Sequence, residues 1–203
     1  MAARGPYAKG VAKRAEILDT ALDVIAVHGY SGATVKELAD AAGLSQNGLL
    51  HYFGSKDALF VEILRYHDTR LTERIDPEHT DFARDLVRRI LDALSDSTTA
   101  PGMSQLVLSV SAAASESDHA AHAFIGARQD AFRTITEGAL RQLQKDGGFP
   151  ADADAAAAAA LITAAFDGLQ LQWLYDRSID VVGRMAYLLD NLGITESPPT
   201  PAG

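Results

Sequence analysis

Apolar residues recur along this chain at spacings of three and four, the period of a helix with one buried face. Ile17, Leu18, Ala21, Leu22 and Ile25 form such a stripe between Val11 and His28, and His28-Gly29 supplies a stop. A short second helix opens at Thr34: Thr34-Val35-Lys36-Glu37 has the spacing of a capping box, Leu38, Ala39 and Ala42 form its inner face, and Gly43 ends it. Ser45 caps a third short helix running to about Tyr52. Ser55 caps a fourth, with Asp57 in its positive first turn; Leu59, Phe60, Ile63, Leu64 and Leu71 lie along it, and it stops near Asp76-Pro77. Further helices are predicted over about 80–95, 103–115, 118–145, 152–176 and 180–192, separated by Thr98-Thr99-Ala100-Pro101-Gly102, Ser117-Asp118, Asp146-Gly147-Gly148-Phe149-Pro150 and Asp176 to Ile179. No run alternates as a strand would between hairpin turns, so the pattern predicts an all-α fold. Gly5-Pro6 makes residues 1–9 a flexible basic arm, and the proline-rich residues 196–203 a disordered tail.

Two short helices joined by a glycine turn, here 34–42, Gly43-Leu44 and 45–52, make a helix-turn-helix. The second helix of such a unit lies in the major groove and reads base edges from its N-terminal part, here Ser45-Gln46-Asn47-Gly48. Gln and Asn are the side chains able to bond adenine bidentately. Gly48 has no side chain and lets the backbone approach DNA. The net charge of −9 argues against a nucleic-acid partner only until its distribution is read. Residues 1–56 carry six Lys/Arg against five Asp/Glu, a net +1, and the remainder carries −10. A phosphate-binding surface needs positive charge locally, and an acidic second module need not touch DNA. The arm, with Arg4, Lys9, Lys13 and Arg14, reads either as added phosphate or minor-groove contacts or as a solvated end.

The run from Thr34-Val35-Lys36-Glu37-Leu38-Ala39 through Gly43-Leu44-Ser45 to Leu49-Leu50-His51-Tyr52-Phe53-Gly54-Ser55-Lys56 resembles the tetracycline-repressor (TetR) family of bacterial regulators. Ile17-Leu18-Asp19-Thr20-Ala21 and His28-Gly29-Tyr30 match its first helix, and the likeness covers about residues 10–65. It implies a homodimer of about nine helices. Three make the DNA-binding domain, placed at 10–56, and the rest form a ligand-binding and dimerisation domain, placed at 57–195. It implies a repressor that a small-molecule effector releases from double-stranded operator DNA. Carried over by position, Thr34 contacts a phosphate while capping its helix, and Lys36 lies beside it. Ser45, Gln46 and Asn47 face bases or phosphates, His51 and Tyr52 reach the groove and backbone, and Lys56 meets a phosphate. Leu50 departs from the family, which most often has there a phenol bonding phosphate; a leucine touches a thymine methyl or packs.

An effector seat between helices needs an apolar lining with a few orienting polar groups. Met103, Leu106, Val110, Phe124, Phe132, Phe166, Gln170 and Trp173 are the candidates, each of which, taken alone, reads more readily as ordinary core. The helix holding Gln170, Gln172 and Trp173 fits a dimer interface best. His119 and His122 stand three apart but lack further ligands nearby, so no metal site is assigned, and His67 reads as surface or pocket rim. No nucleophile elbow, phosphate loop or His-Glu-x-x-His occurs, so neither enzyme activity nor a cofactor is expected. The absence of cysteine, of a signal peptide and of a membrane span places the chain in the cytoplasm. Two rival readings remain: an architectural DNA-binding protein without ligand response, and a helical protein-interaction module.

Overall fold

The computed structural model describes residues 6–73, 83 and 85–194. Nine α-helices and no strands occur among them: α1 (Pro6–Gly32), α2 (Val35–Ala41), α3 (Gln46–Phe53), α4 (Lys56–Glu73), α5 (Leu86–Thr99), α6 (Pro101–Ala113), α7 (His122–Asp146), α8 (Ala155–Tyr175) and α9 (Val181–Asn191). They divide into two compact units, one holding α1–α4 and α6, the other α5, α8, α9 and nearly all of α7. The division does not follow the chain at residue 56, because α6 returns to pack along α1.

Several boundaries differ from the sequence pattern for local reasons. Residues 6–9, expected in the arm, belong to α1, since a proline fits the first helical position, where no N–H is needed. Residues 1–5 and the predicted tail lie outside the described residues, as do Asp76 and Pro77. At the expected stop, Gly29 has φ 71° and ψ 171°, a kink after which one more helical turn runs to Gly32. α5 continues to Thr99, where the Thr98 and Thr99 hydroxyls donate to the Ser95 and Asp96 carbonyls at 2.7 and 2.8 Å; Pro101 then opens α6. α7 starts only at His122, because the preceding turn is held by imidazoles: His119 Nδ1 accepts from the Ala121 N–H at 3.1 Å, and His122 Nδ1 lies 2.8 Å from the Ala114 carbonyl oxygen. The two rings are thus engaged with backbone, and no metal-binding group of His, Cys, Asp or Glu occurs among the described residues.

The first unit buries Ile17, Leu18, Ala21 and Ile25 of α1 with Leu38, Ala39, Leu49, Phe53, Leu59, Ile63 and Leu64. α6 adds Met103, Leu106 and Val110 to the buried set. α6 lies so close to α1 that a Cβ at Gly102 would stand 2.2 Å from the Ile25 carbonyl oxygen, and only glycine admits this approach. The second unit has its own core from Leu86, Ile90 and Leu94, Leu140 and Leu143, Ala158, Ala159 and Ile162, and Val181, Met185 and Leu189. Asp154 opens α8 by accepting the Ala156 and Ala157 N–H groups at 2.9 and 3.1 Å. No described helix is long and apolar enough to cross a membrane.

Candidate nucleic-acid interface

Helices of seven and eight residues do not persist alone, so α2 and α3 owe their shape to their ends and neighbours. The capping box predicted at Thr34 is present: the Glu37 N–H donates to Thr34 Oγ1 at 3.2 Å, and the Thr34 N–H donates to Glu37 Oε2 at 2.9 Å. The Thr34 hydroxyl also donates to Glu37 Oε2 at 2.7 Å. These bonds, the hydroxyl's first and the backbone's second, hold the Glu37 carboxyl below the usual glutamate range. The Thr34 hydroxyl proton is therefore already engaged, and a phosphate would compete for it with Glu37.

Gly43, at φ 67°, ends α2 in the left-handed region, and the Leu44 N–H returns to the Ala39 carbonyl at 2.8 Å. The chain then enters α3 with Ser45 as N-cap, its Oγ accepting from the Gly48 N–H at 3.0 Å. A Cβ at Gly48 would lie 3.2 Å from that same oxygen, so the glycine is fitted to the cap. Leu49 and Phe53 are buried and fix α3 from behind. Ser45, Gln46, Asn47 and His51 are exposed, while Leu50 and Tyr52 are half-buried. Lys36 on α2 and Lys56 at the start of α4 are exposed, Lys56 lying 5.8 Å from the Phe60 ring centre. Ser55 caps α4 as predicted, accepting the Ala58 N–H at 3.1 Å. The helix-turn-helix and the start of α4 thus expose two amides, an imidazole and two ammonium groups, a set suited to hydrogen-bonding bases and phosphates.

The basic residues before α2, readable either as phosphate or minor-groove contacts or as a solvated end, do not share one environment among the described residues. Lys9 is exposed, Lys13 pairs with Glu16 at 2.7 Å, and Arg14 turns inward to the Tyr52 carbonyl and Glu62. Glu62 plays a part here that no motif announced, because its partner is 48 residues away in sequence.

The candidate effector residues fall in both units. Met103, Leu106 and Val110 are buried in the first, where Val110 borders a cavity of about 50 Å³ with Tyr30, Asp57, Phe60 and His119. Phe124, Phe132, Phe166, Gln170 and Trp173 belong to the second. There the rings of Phe132 and Phe166 meet with centroids 5.3 Å apart, and the Gln170 amide donates to the Phe166 carbonyl at 3.3 Å. Arg177 stacks 3.8 Å over half-buried Trp173. His67 lies at the edge of an open cavity of about 430 Å³ in the first unit, lined also by Asp19, Leu22, Asp23, Arg70 and Leu71, where Arg70 pairs with Asp19 at 2.5 Å.

Comparison with known proteins fits this geometry. Residues 17–63 match the family model of the bacterial regulatory proteins of the tetR family. Residues 83–191 match the C-terminal model of BetI-type transcriptional repressors. The transcriptional repressor KstR2 of Rhodococcus jostii is 30% identical, with 70% of each chain covered. The repressor AcnR of Corynebacterium efficiens is 42% identical over 67 residues, 33% of this chain and 36% of that protein. The regulator RutR of Escherichia coli is 43% identical over 54 residues, covering 26% of its length; the chain thus spans about a third or less of these two relatives, within the helix-turn-helix stretch. Among solved structures, a TetR-family regulator from Rhodococcus sp. superposes with a TM-score of 0.69 at 25% identity, over 89% of this chain and 97% of that one. A TetR regulator from Haloarcula marismortui shares the fold with a TM-score of 0.74 at 19% identity, over 90% of this chain and 98% of that one. With a model matched over more than half its length and a repressor relative covering most of it, the chain belongs to the TetR family of bacterial transcriptional regulators.

Proposed function

We propose that the chain is a dimeric, sequence-specific repressor that a small-molecule effector releases from its operator. The observation that carries the reading is the exposed edge of Gln46, Asn47 and His51 on a capped helix anchored from behind by Leu49 and Phe53. In a major groove, Gln46 and Asn47 read bases, and Leu50 touches a thymine methyl. Ser45, Tyr52, Lys36, Lys56 and Thr34 bond phosphates, and Gly48 keeps the N-terminal turn close to the backbone. Residues 10–56 are the DNA-binding part and residues 57–195 the effector and dimerisation part. The effector's lining is drawn within one unit, from Met103, Leu106 and Val110 in the first or from Phe124, Phe132, Phe166, Gln170 and Trp173 in the second. An effector favouring one arrangement of the helices shifts the population away from the DNA-competent one.

The dimer reading is supported by a stripe on α8. Ala157, Ala160, Leu161, Ala164, Leu171 and Tyr175 follow one another at helical spacing and are all exposed. Tyr175 is 87% exposed and Tyr187, on α9, 72% exposed, although aromatic side chains this open to water are normally covered. Small residues beside aromatic and aliphatic ones let a second copy's helices approach closely, and a twofold pairing gives two recognition helices for a pseudo-palindromic site.

The test is anisotropy of labelled DNA from upstream of the chain's own gene, over a salt series, against a scrambled duplex. The expected result is one dimer per site with a preference of roughly a thousandfold or more. Equal weak binding to both duplexes means either that the operator lies elsewhere or that the architectural alternative holds, and no binding at low salt removes the DNA-binding reading.

A further inference from the structure

Arg14 stands in the basic N-terminal stretch, yet its guanidinium is turned toward the end of α3. Nη1 donates to the Tyr52 main-chain carbonyl, Nη2 lies 3.0 Å from Glu62 Oε2 on α4, and Cζ lies 4.5 Å from the centre of the Phe53 ring. Glu62 uses its other oxygen to accept from Arg65 at 2.5 Å. One side chain thus joins α1, the last turn of α3 and α4.

The last four carbonyls of a helix have no donor from within the helix and carry its negative end. In α3 the Gly54 N–H takes the Leu50 carbonyl at 2.6 Å, and Arg14 takes that of Tyr52. A planar guanidinium can donate to a carbonyl and a carboxylate at once while stacking on a ring; an ammonium cannot hold that fork. At the other end Ser45 fixes the first turn. A helix of eight residues held at both ends has a defined direction, which reading base edges requires.

We propose that Arg14, together with Glu62, is a positioning residue of the recognition helix: it sets the direction in which α3 presents Gln46 and Asn47, and it acts without touching DNA. The inference rests on the DNA-binding reading above and gives Arg14 a role that is neither the phosphate contact nor the solvated end between which its place in the basic stretch leaves it.

The two roles of Arg14 are separable by experiment. Operator and scrambled duplex are titrated over a salt series with the wild type, Arg14→Met, Arg14→Lys, Glu62→Gln and the Arg14→Met/Glu62→Gln double variant. For a positioning residue, Arg14→Met weakens operator binding about tenfold or more, leaves the scrambled duplex and the salt slope unchanged, and is not rescued by lysine. The Arg14→Met and Glu62→Gln losses are then non-additive in the double variant. A salt slope flattened by about one, with equal loss on both duplexes and rescue by lysine, assigns Arg14 to a phosphate and overturns the proposal. Native-state amide exchange judges the brace without DNA, so it still applies if the wild type shows no operator preference and the DNA-binding reading itself fails. Faster exchange in the last turn of α3 and at Gly54 in Arg14→Met, with α1 unaltered, is expected; unchanged exchange there overturns the proposal.

Discussion

α3 and α8 are both helices with an open face, and the two faces differ in kind. α3 has eight residues, two buried anchors and an exposed edge of amides and an imidazole. α8 has 21 residues, opens on a run of six alanines, buries Ala155, Ala158, Ala159, Ile162 and Leu169, and exposes alanines with Leu161, Leu171 and Tyr175. The long helix is made of strong formers and is stable over many turns. The short one depends on Ser45, Leu49, Phe53 and Arg14 for its existence and direction. Hydrogen bonds to base edges are directional, so their donors must be held from several sides. An apolar stripe needs only a complementary shape, and its own helix supplies the rigidity.

That contrast can be broken at several points. The largest effect is expected from Phe53→Ala, which empties the space beneath α3 and should cost about 3–5 kcal/mol in urea denaturation. A variant as stable as the wild type would mean that the ring does not anchor the helix. On α8, Leu161→Glu should leave helicity intact while lowering the solution mass to that of a monomer at micromolar concentration, read by light scattering. A dimer that survives the charge places the interface on another surface. Gln46→Ala should cost about 1–3 kcal/mol of operator affinity and relax preference at one base position. Equal loss on every sequence would take the reading role from Gln46. A still smaller change is expected from Lys56→Ala, which should lower affinity for all duplexes alike and flatten the salt slope by about one.

The smallest effect concerns Glu37. Its folded-state carboxyl titrates below the ordinary glutamate value, so its contribution to α2 is complete above that value and is lost as pH falls through the depressed one. Thr34→Ala removes the hydroxyl that contributes most to the depression. The Glu37 titration, followed by NMR of its carboxyl carbon, should then move up toward the ordinary value. A midpoint unmoved by the substitution would show that Thr34 does not control it.

The elements that the sequence made legible are those whose cause is local. The capping box at Thr34, the caps at Ser45 and Ser55 and the turn at Gly43 each require residues within five positions of one another, and the structure has each of them. The register of that stretch also carried the family likeness. α1 starts earlier than the spacing predicts, because a proline preceded by glycine is compatible with both a break and a first helical turn.

Spacing at three and four determined that the chain is helical and most of the buried face of α1 to α4, because a helix has one period; it did not separate buried from exposed stripes, since Leu71 on α4 and Leu161 and Leu171 on α8 are exposed. It also determined the exposed edge of α3, since caps and anchors together orient a short helix. Tertiary structure alone decided that α6 joins α1, which rests on a glycine approach between residues 102 and 25, and that Arg14 faces Tyr52 and Glu62 rather than solvent. Those contacts join positions 38 to 77 residues apart. Packing selects such pairs by shape and charge, and no periodic pattern in the chain encodes them.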